Sequence, residues 1–406
     1  MCEQHWKRAR RGGSRAIRAI AAGVAILVAG AASSIAVDAG SSPRLQTEIT
    51  PTDGVAYGGF GFAASMSGDG HYAVIGAPGK GPGGSAYFYA RQGSTWIQQA
   101  ELAADDSTLG QNFGWSVALD EDGDTALIGA PFKIQFRAQG RGEAFVFTRT
   151  GTSWRQAARL IAADGAINDF FGISVSLGGN LAIVGAAGRS NSTGAVYVFT
   201  GSGSRWTQQA QLTARDGMPG DYLGWCVAHG HGETVLVGAP FRSALPRAPV
   251  YVFAGTASGW SQQAELTPSD QPGFFGNAIA FGGGNTAVFG SGGAVYVLTG
   301  SGSRWTQQAK LVPREPVDGF GWSIAFGGGG TILVGAPFVA GFSGGSAFLF
   351  SRHGSHWTER AHLIGENPAD FDEVGSSVAL SHSGNTALVG ADTQNGGAGA
   401  AYVFVK

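Results

Sequence analysis

The chain has 406 residues and a formal net charge of −2, and only 13% of its residues are charged. Glycine contributes 69 residues, about 17% against a usual ~7%, and this disfavours a charge-laced helical protein because glycine is costly inside helices. The 15 prolines, without a three-residue glycine period, exclude collagen, and 11% aromatic residues argue against plain disorder. Two cysteines exclude a disulfide scaffold. A glycine-punctuated, repetitive all-β protein remains.

Residues 1–42 have the pattern of an export signal. Six Lys and Arg residues between positions 7 and 18 precede an uncharged stretch from Ala19 to Val37, and small residues follow at spacings typical of cleavage sites. We therefore predict a signal peptide or an N-terminal anchor over 1–42, and a secreted, periplasmic or cell-surface protein. The remainder is net acidic and has no basic stripe, so we expect no nucleic-acid partner and no transmembrane segment in the mature chain.

The rest of the chain, residues 43–406, is one motif repeated seven times. A glycine that follows Phe, Leu or Val recurs at a mean spacing of about 52 residues, which suits the blade of a β-propeller. The seven positions are Gly61, Gly114, Gly172, Gly224, Gly276, Gly321 and Gly375. Each repeat carries four short runs rich in β-branched and aromatic residues, separated by glycine turns, and we assign these runs to strands a, b, c and d.

These runs predict an all-β, seven-bladed propeller with four antiparallel strands in each blade. Several runs are apolar on both faces, and sheets stacked around an axis would cover both. The seventh repeat lacks a d run, whereas residues 43–49 precede the first repeat. With Ile49 placed on the repeating Leu, Gln46 falls on the position of Gln99. The N-terminal strand is therefore expected to complete the last blade and close the ring, which leaves no open sheet edge.

Two short recurrent motifs, Phe-Gly and Gly-Ala-Pro, resemble those of a known family. The Phe-Gly pairs combine with Gly76-Ala-Pro78, Gly129-Ala-Pro131, Gly238-Ala-Pro240 and Gly335-Ala-Pro337. Together they resemble the FG-GAP repeat of integrin α-subunit propellers and their bacterial relatives, and the Trp-x-x-x-Ala-x-Leu segments are similar to the bacterial subgroup. Three repeats depart from Gly-Ala-Pro, at 185–187, 290–292 and 390–392. The resemblance implies a propeller used for binding, and it implies no particular ligand.

One polar position recurs four residues after the repeating Leu or Ile, at the start of each d–a loop. It is occupied by Asp53, Asp106, Asp164, Asp216, Asp270, Glu315 and Asn367. In a propeller the d–a loops share one face with the b–c loops, so we hypothesise that these side chains form a polar ring that binds ligand there. A compatible alternative is that each side chain caps its own turn.

The b–c loops differ most between repeats, and variable loops on a rigid scaffold are where recognition usually occurs. The second loop is long and basic, the fourth combines arginine with prolines, and the sixth is aromatic. The predicted ligand-binding residues in these loops are Lys133, Phe136, Arg137, Arg242 and Phe342.

Metal chemistry has weak support. The resemblance would place calcium in the a–b turns, where only Asp120, Asp122 and Asp124 supply acids, and a hard cation wants six or more oxygens. A tight turn is the alternative. Cys226 and His229 lie close in sequence, but Cys226 is expected to be a buried, unreactive thiol. We predict no cofactor.

No acid–base pair or nucleophile set recurs, so we predict a non-catalytic recognition or adhesion module. Its expected partner is an extracellular or envelope protein or glycan, bound through the d–a and b–c loops by a monomeric propeller. Two alternatives are a polysaccharide hydrolase or lyase, which requires paired carboxylates in the central pocket, and a calcium-stabilised structural module.

Overall fold

The structure, a computed structural model, describes residues 43–105, 111–132, 140–242, 248–256, 259–338, 344–365 and 371–406. The predicted segment 1–42 lies outside these residues. The described residues form seven four-stranded antiparallel sheets, and within each sheet the strands follow one another in space as they do in sequence, apart from the sheet that the N-terminal strand completes. The predicted all-β, seven-bladed propeller is confirmed.

Blades 1 to 3 each contain four strands, which follow in the order a, b, c, d. Blade 1 has β2 (Ala63–Met66), β3 (Tyr72–Ala77), β4 (Ser85–Gln92) and β5 (Thr95–Leu102). Blade 2 has β6 (Ser116–Leu119), β7 (Thr125–Ala130), β8 (Glu143–Thr150) and β9 (Ser153–Leu160). Blade 3 has β10 (Phe171–Gly178), β11 (Leu181–Ala186), β12 (Ala195–Ser202) and β13 (Arg205–Leu212), with a short helical turn α1 (Arg189–Ser192).

The remaining blades follow the same order. Blade 4 has β14 (Cys226–His229), β15 (Thr234–Gly238), β16 (Val250–Thr256) and β17 (Gly259–Leu266). Blade 5 has β18 (Ile279–Gly282), β19 (Thr286–Gly290), β20 (Val295–Ser301) and β21 (Arg304–Leu311). Blade 6 has β22 (Ser323–Gly327), β23 (Thr331–Ala336), β24 (Ser346–His353) and β25 (His356–Leu363). Blade 7 has β26 (Val378–Leu380), β27 (Thr386–Ala391), the short turn α2 (Gln394–Gly397), β28 (Ala400–Val405) and β1 (Arg44–Ile49).

The hydrophobic core lies between the blades. Each a strand contacts the a strand of the next blade, and β26 contacts β2, so the inner strands form a closed ring. The buried apolar residues divide into seven clusters, one for each pair of neighbouring blades. The b and c strands are buried on both faces because a neighbouring sheet covers each side, which explains their continuous apolar sequence.

The N-terminal strand completes blade 7, as the sequence predicts. β1 pairs antiparallel with β28, and Ile49 is buried between blades 7 and 1. The register shifts by one residue at Gln46, between Leu45 and Thr47. The c–d pair of blade 1 shifts at the equivalent Gln99. A bulge of this kind re-aims the strand locally, and its presence at Gln46 confirms the sequence alignment.

The two glycines of the repeat motif meet between blades, and this contact gives the motif a physical reason. A Cβ on Gly129 of β7 would overlap the carbonyl oxygen of Gly172 in the next blade, and the glycine at this b-strand position has the same close approach in all seven blades. Gly172 itself has a φ of +92°, in the region that favours glycine. The Ser116 hydroxyl donates to the same Gly172 carbonyl at 2.9 Å. Small residues therefore let two backbones touch.

The tryptophans of the d strands differ in burial. Trp96 is buried, but Trp154 and Trp206 are only partly buried because the d strand is the outermost of each sheet. Cys226 is partly buried at the position where other blades have serine, and burial raises the pKa of its thiol to about 12. The thiol is therefore protonated at neutral pH, in keeping with the unreactive role predicted for it.

Candidate functional site on the loop face

The d–a and b–c loops lie together at one end of the propeller, which we call the loop face (residues 50–62, 78–84 and their equivalents in the other blades). Short parallel bridges join the last residue of a b–c loop to the next d–a loop, as between Gly84 and Phe113 and between Gly142 and Phe171. The predicted proximity of these loops is thereby observed. The a–b and c–d turns lie at the opposite end, the turn face.

The d–a loop aspartates bind a tyrosine and a cation of the following blade. The Tyr87 hydroxyl on β4 donates to Asp53 Oδ1 at 3.0 Å. Lys80, from the b–c loop, donates to the Tyr87 hydroxyl at 2.8 Å and to the Asp53 main-chain carbonyl at 2.8 Å, and it also forms an ion pair with the Asp53 carboxylate. The loop that leads into the blade is thus fixed to the blade's own c strand.

Blade 3 repeats this arrangement with arginine in place of lysine. The Tyr197 hydroxyl donates to Asp164 Oδ1 at 2.8 Å, and Arg189 of α1 donates to Asp164 Oδ2 at 2.6 Å. The same guanidinium donates to Asp169 Oδ2 at 2.9 Å, so it bridges two carboxylates of one loop.

Blade 4 has the most buried version. Arg242 Nη1 donates to Asp216 Oδ2 and to the Tyr251 hydroxyl, both at 2.6 Å, and the Tyr251 hydroxyl donates to Asp216 Oδ1 at 2.9 Å. The Arg242 side chain is 6% exposed, whereas Asp216 is 40% exposed. Asp221 lies 4.0 Å from Arg242 Nε. The Asp216 carboxylate therefore remains accessible on the loop face, whereas its partners are buried.

The other blades vary the arrangement. In blade 5 the cation comes from the d strand, where Lys310 donates to Asp270 Oδ2 at 2.6 Å and the Tyr296 hydroxyl donates to the same oxygen at 2.8 Å. In blade 6 Phe348 holds the tyrosine position and supplies no hydroxyl to Glu315, which is exposed and interacts electrostatically with His362. The predicted residues Asp106, Asn367, Lys133, Phe136, Arg137 and Phe342 lie outside the described residues.

Hydrogen bonds keep the carboxylates of Asp53, Asp216 and Asp270 charged. The hydrogen bond from Lys80 lowers the pKa of Asp53, and the hydrogen bond from Lys310 lowers the pKa of Asp270. Burial alone would raise the pKa of Asp216, but the bonds from Arg242 and Tyr251 lower it overall. Burial raises the pKa of Tyr251, so its hydroxyl stays protonated and donates to the carboxylate.

We expect Asp270→Asn to flatten the acid limb of the stability curve. The folded-state pKa of Asp270 is below its ordinary value of 3.8, so its ionised form stabilises the fold above that pH and the stabilisation is lost as the pH falls through the folded-state pKa. The variant should be less stable than the parent near neutrality, and the difference should shrink below pH 3.8. Denaturant unfolding at a series of pH values measures this.

The matched control for that experiment is Glu315→Gln, at the same loop position in blade 6. Phe348 has no hydroxyl to donate there. This variant should leave the acid limb parallel to that of the parent, and an equal flattening in both variants would contradict the assignment.

Apolar side chains are also concentrated on the loop face. Of the ten large apolar residues exposed in the described chain, nine lie in d–a loops, and the tenth is Ile97 on β5. The nine are Val55, Tyr57, Ile161, Ile167, Met218, Phe274, Val312, Ile364 and Phe371. Tyr57 is 83% exposed and Phe371 is 81% exposed. Large apolar side chains that are exposed on one face of a protein are candidates for contact with a partner.

Aromatic contacts hold one of these exposed groups, Phe274. Trp225 packs edge-on against Phe241 with centroids 4.8 Å apart, and Phe241 packs edge-on against Phe274 at 5.8 Å. In blade 2, Trp115 packs edge-on against Phe132 with centroids 4.9 Å apart. The loop face therefore presents packed aromatic groups as well as the Asp–cation–Tyr clusters, which are the groups around Asp53, Asp164, Asp216 and Asp270 described above.

Sequence reasoning found the aspartates and missed their partners. The c-strand tyrosines recur at one repeat position in five blades, namely Tyr87, Tyr197, Tyr251, Tyr296 and Tyr402. This regularity could have been recognised. The cations could not, because Lys80, Arg189 and Arg242 lie in loops of unequal length and Lys310 lies on a strand.

Two of the three calcium candidates, Asp120 and Asp124, are engaged by other residues of blade 2. Asp120 Oδ1 accepts the backbone N–H groups of Asp124 and Thr125 at 2.8 and 3.0 Å, and Asp124 forms an ion pair with Arg149. Over the described ranges, no group of three or more His, Cys, Asp or Glu side chains could hold a metal ion.

The described residues contain no helix of the length and apolar character needed to cross a bilayer.

Comparisons with known proteins agree with the architecture. The mouse integrin alpha-2 is 29% identical over 157 residues, and the mouse integrin alpha-X is 26% identical over 159 residues. These matches cover 35% and 36% of this chain and 13% of each integrin, so the chain spans about an eighth of the relatives' length. A chain in the crystal structure of the mitotic checkpoint complex superimposes with a TM-score of 0.56 at 14% identity, covering 95% of this chain and 99% of that chain, which shows a shared fold alone.

The match to a family model shows which family the chain belongs to. The FG-GAP repeat model matches residues 44–89, 96–147, 154–199, 206–253, 305–350 and 357–404. The interval without a match, 254–304, contains the departure at Gly290-Ser-Gly292. Because the matched repeats cover more than half of the sequence, the chain belongs to the FG-GAP repeat family.

Proposed function

We propose that this propeller is a non-catalytic recognition module that binds an extracellular or envelope protein through its loop face. The observation that carries the proposal is the concentration of exposed apolar side chains in the d–a loops, led by Tyr57, Phe274 and Phe371. Binding energy in protein interfaces comes mostly from a few aromatic and arginine anchors. The family relationship to integrin α-subunits supports a recognition role, and the signal-like residues 1–42 support export.

The Asp–cation–Tyr clusters fit this role in two ways. They fix the loops that carry the aromatic side chains, which lowers the entropic cost of binding. They also leave carboxylate edges accessible, since Asp53 is 46% exposed and Asp164 is 43% exposed. In this proposal, the aromatic groups supply affinity and the carboxylates of Asp53, Asp164, Asp216 and Asp270 supply polar contacts around them.

The test is a binding screen of the full chain against arrayed envelope proteins and glycans, followed by a comparison of variants. A triple variant, Tyr57→Ser, Phe274→Ser and Phe371→Ser, should lose the protein ligand by at least about tenfold, since hot-spot residues each contribute about 2 kcal/mol. Its melting temperature should fall only slightly, because Tyr57 and Phe371 are more than 80% exposed and only Phe274 loses a packing contact, with Phe241.

The matched control is Ile97→Ser, which removes an exposed apolar side chain from β5, away from the loop face. It should bind as the parent does. Asp164→Asn combined with Asp216→Asn tests the carboxylates separately and should weaken binding while the protein stays folded. A ligand that is retained by the triple variant, or lost equally in the Ile97 control, would overturn the proposal.

A further inference from the structure

The turn face contains a cavity of about 410 Å³ that the loop-face proposal does not use. It lies among the a–b turns of blades 5, 6 and 7 and the c–d turn of blade 6. The cavity is open because glycines without side chains line it. Gly283 lines it from blade 5, and Gly328, Gly329 and Gly330 line it from blade 6. The corresponding blade 2 turn, 120–124, has acidic side chains instead. A Cβ at Gly329 would meet nothing within 4 Å, so this position faces open space.

The terminal nitrogens of Arg352, on the cavity wall, lack the side-chain partners that the equivalent arginines of blades 1 and 2 have. One position of the c strand is occupied by arginine in three blades, as Arg91, Arg149 and Arg352. In each case the backbone N–H donates to the carbonyl of the last residue of the a–b turn, which shows that the positions are equivalent. Arg149 forms an ion pair with Asp124 and lies 3.9 Å from the ring centroid of Tyr72. Arg91 donates to the Thr386 hydroxyl at 3.1 Å.

In blade 6, glycine replaces that acid. Gly330 holds the place of Asp124 at the end of the turn, and its carbonyl accepts the Arg352 backbone N–H at 2.8 Å. Arg352 Nε donates to the Gly354 carbonyl at 2.8 Å. Within the part of the chain that the structure describes, no acceptor engages the two terminal nitrogens of this guanidinium. A planar fork of donors is therefore presented on the wall of a cavity.

Trp357 supplies an aromatic wall beside the arginine. Its ring packs edge-on against Phe326, with centroids 6.4 Å apart, and it is partly buried. In blades 3 and 5 the equivalent indole N–H groups of Trp206 and Trp305 donate to the turn carbonyl at 3.1 Å. In blade 6 the Gly354 carbonyl accepts from Arg352 instead, and no described residue accepts from the Trp357 indole.

We propose that this cavity binds a hexuronate, the carboxylate-bearing sugar of an acidic polysaccharide. The Arg352 fork matches a carboxylate in geometry and charge. The Trp357 ring offers an apolar face to the C–H side of a sugar ring, and the Trp357 indole, Thr286, His382 and glycine backbone groups offer partners for hydroxyls. Of the described lining residues, Arg352 alone carries a permanent charge, which fits a single carboxylate better than a multiply charged phosphate ester.

The experiment titrates the full chain with glucuronate, glucose, acetate and a glucuronate oligomer, followed by calorimetry and tryptophan fluorescence. Glucuronate should bind with a dissociation constant on the order of millimolar, the oligomer more tightly, and both glucose and acetate at least about tenfold more weakly. Arg352→Gln and Trp357→Ala should each weaken glucuronate binding by about tenfold or more. Arg149→Gln, at the same repeat position but paired with Asp124, is the control and should bind as the parent does.

A second pair of variants separates charge from shape. Gly329→Asp and Gly329→Asn place side chains of the same shape in the same left-handed backbone, at φ +70°. Only the aspartate should abolish glucuronate binding, because its carboxylate competes for Arg352 and repels the ligand. Equal effects of the two, equal binding of glucose or acetate, or unchanged binding in Arg352→Gln would each overturn the proposal.

Discussion

Gly129→Ala is expected to destabilise the propeller by about 3–5 kcal/mol, or to prevent folding. The new Cβ would overlap the Gly172 carbonyl oxygen and the Ser116 hydroxyl, and the first of these is backbone of the next blade. The clash cannot be relieved by a side-chain rotation, so two blades must separate. Separation would also break the 2.9 Å hydrogen bond from Ser116 to Gly172. Denaturant unfolding measures the loss.

The control for this effect is Gly273→Ala. A Cβ at Gly273 would have nothing within 4 Å, and its backbone is outside the left-handed region. Its effect should stay within about 0.5 kcal/mol, as for an ordinary surface change. A Gly129→Ala variant as stable as the Gly273→Ala variant would show that the blades do not depend on this backbone contact.

Removal of β1 is expected to open the ring. A chain begun at residue 50 loses the strand that pairs with β28, and it loses Ile49 from the cluster between blades 7 and 1. We expect a fall in melting temperature on the order of 10 °C relative to a chain begun at residue 43. We also expect concentration-dependent association, because the unpaired edge of β28 can accept a strand from another chain.

Complementation makes that experiment sharper. A peptide of residues 43–50 added in excess should restore part of the lost stability by mass action, because it can occupy the vacant d position of blade 7. A peptide of the same composition in scrambled order should not. Equal stability of the two truncated chains would mean that the ring does not need β1 to close.

The repeat pattern predicted the fold in detail because the same contacts between blades occur seven times and require the same residue types each time. Gly129 and its equivalents recur since each blade needs the same close backbone approach to the next. Gln46 could be aligned with Gln99 because both occupy the bulge of a d strand. The burial of the d-strand tryptophans could not be predicted in this way. A recurring position shows that the residue has a similar environment in each blade, but it does not show how deeply that environment is buried.

The candidate site was predicted only in part. Asp53, Asp164, Asp216 and Asp270 stood out because they recur after every d strand. Their partners did not, since Arg189 lies 25 residues from Asp164, whereas Lys310 lies 40 residues from Asp270. A cation that reaches one loop position from different elements leaves no periodic trace in the sequence.

The sequence alone therefore determined the number of blades, the strand order and the ring closure, because these depend on short-range patterns and on small residues at repeated positions. Only the tertiary structure decided which carboxylates are paired, which apolar groups are exposed and where a cavity opens. Arg352 and Arg149 share one repeat position, but only the folded structure shows that the Arg149 side chain reaches Asp124, whereas the terminal nitrogens of Arg352 face a cavity beside Gly330. Charge pairing depends on neighbours that folding brings together across loops and blades.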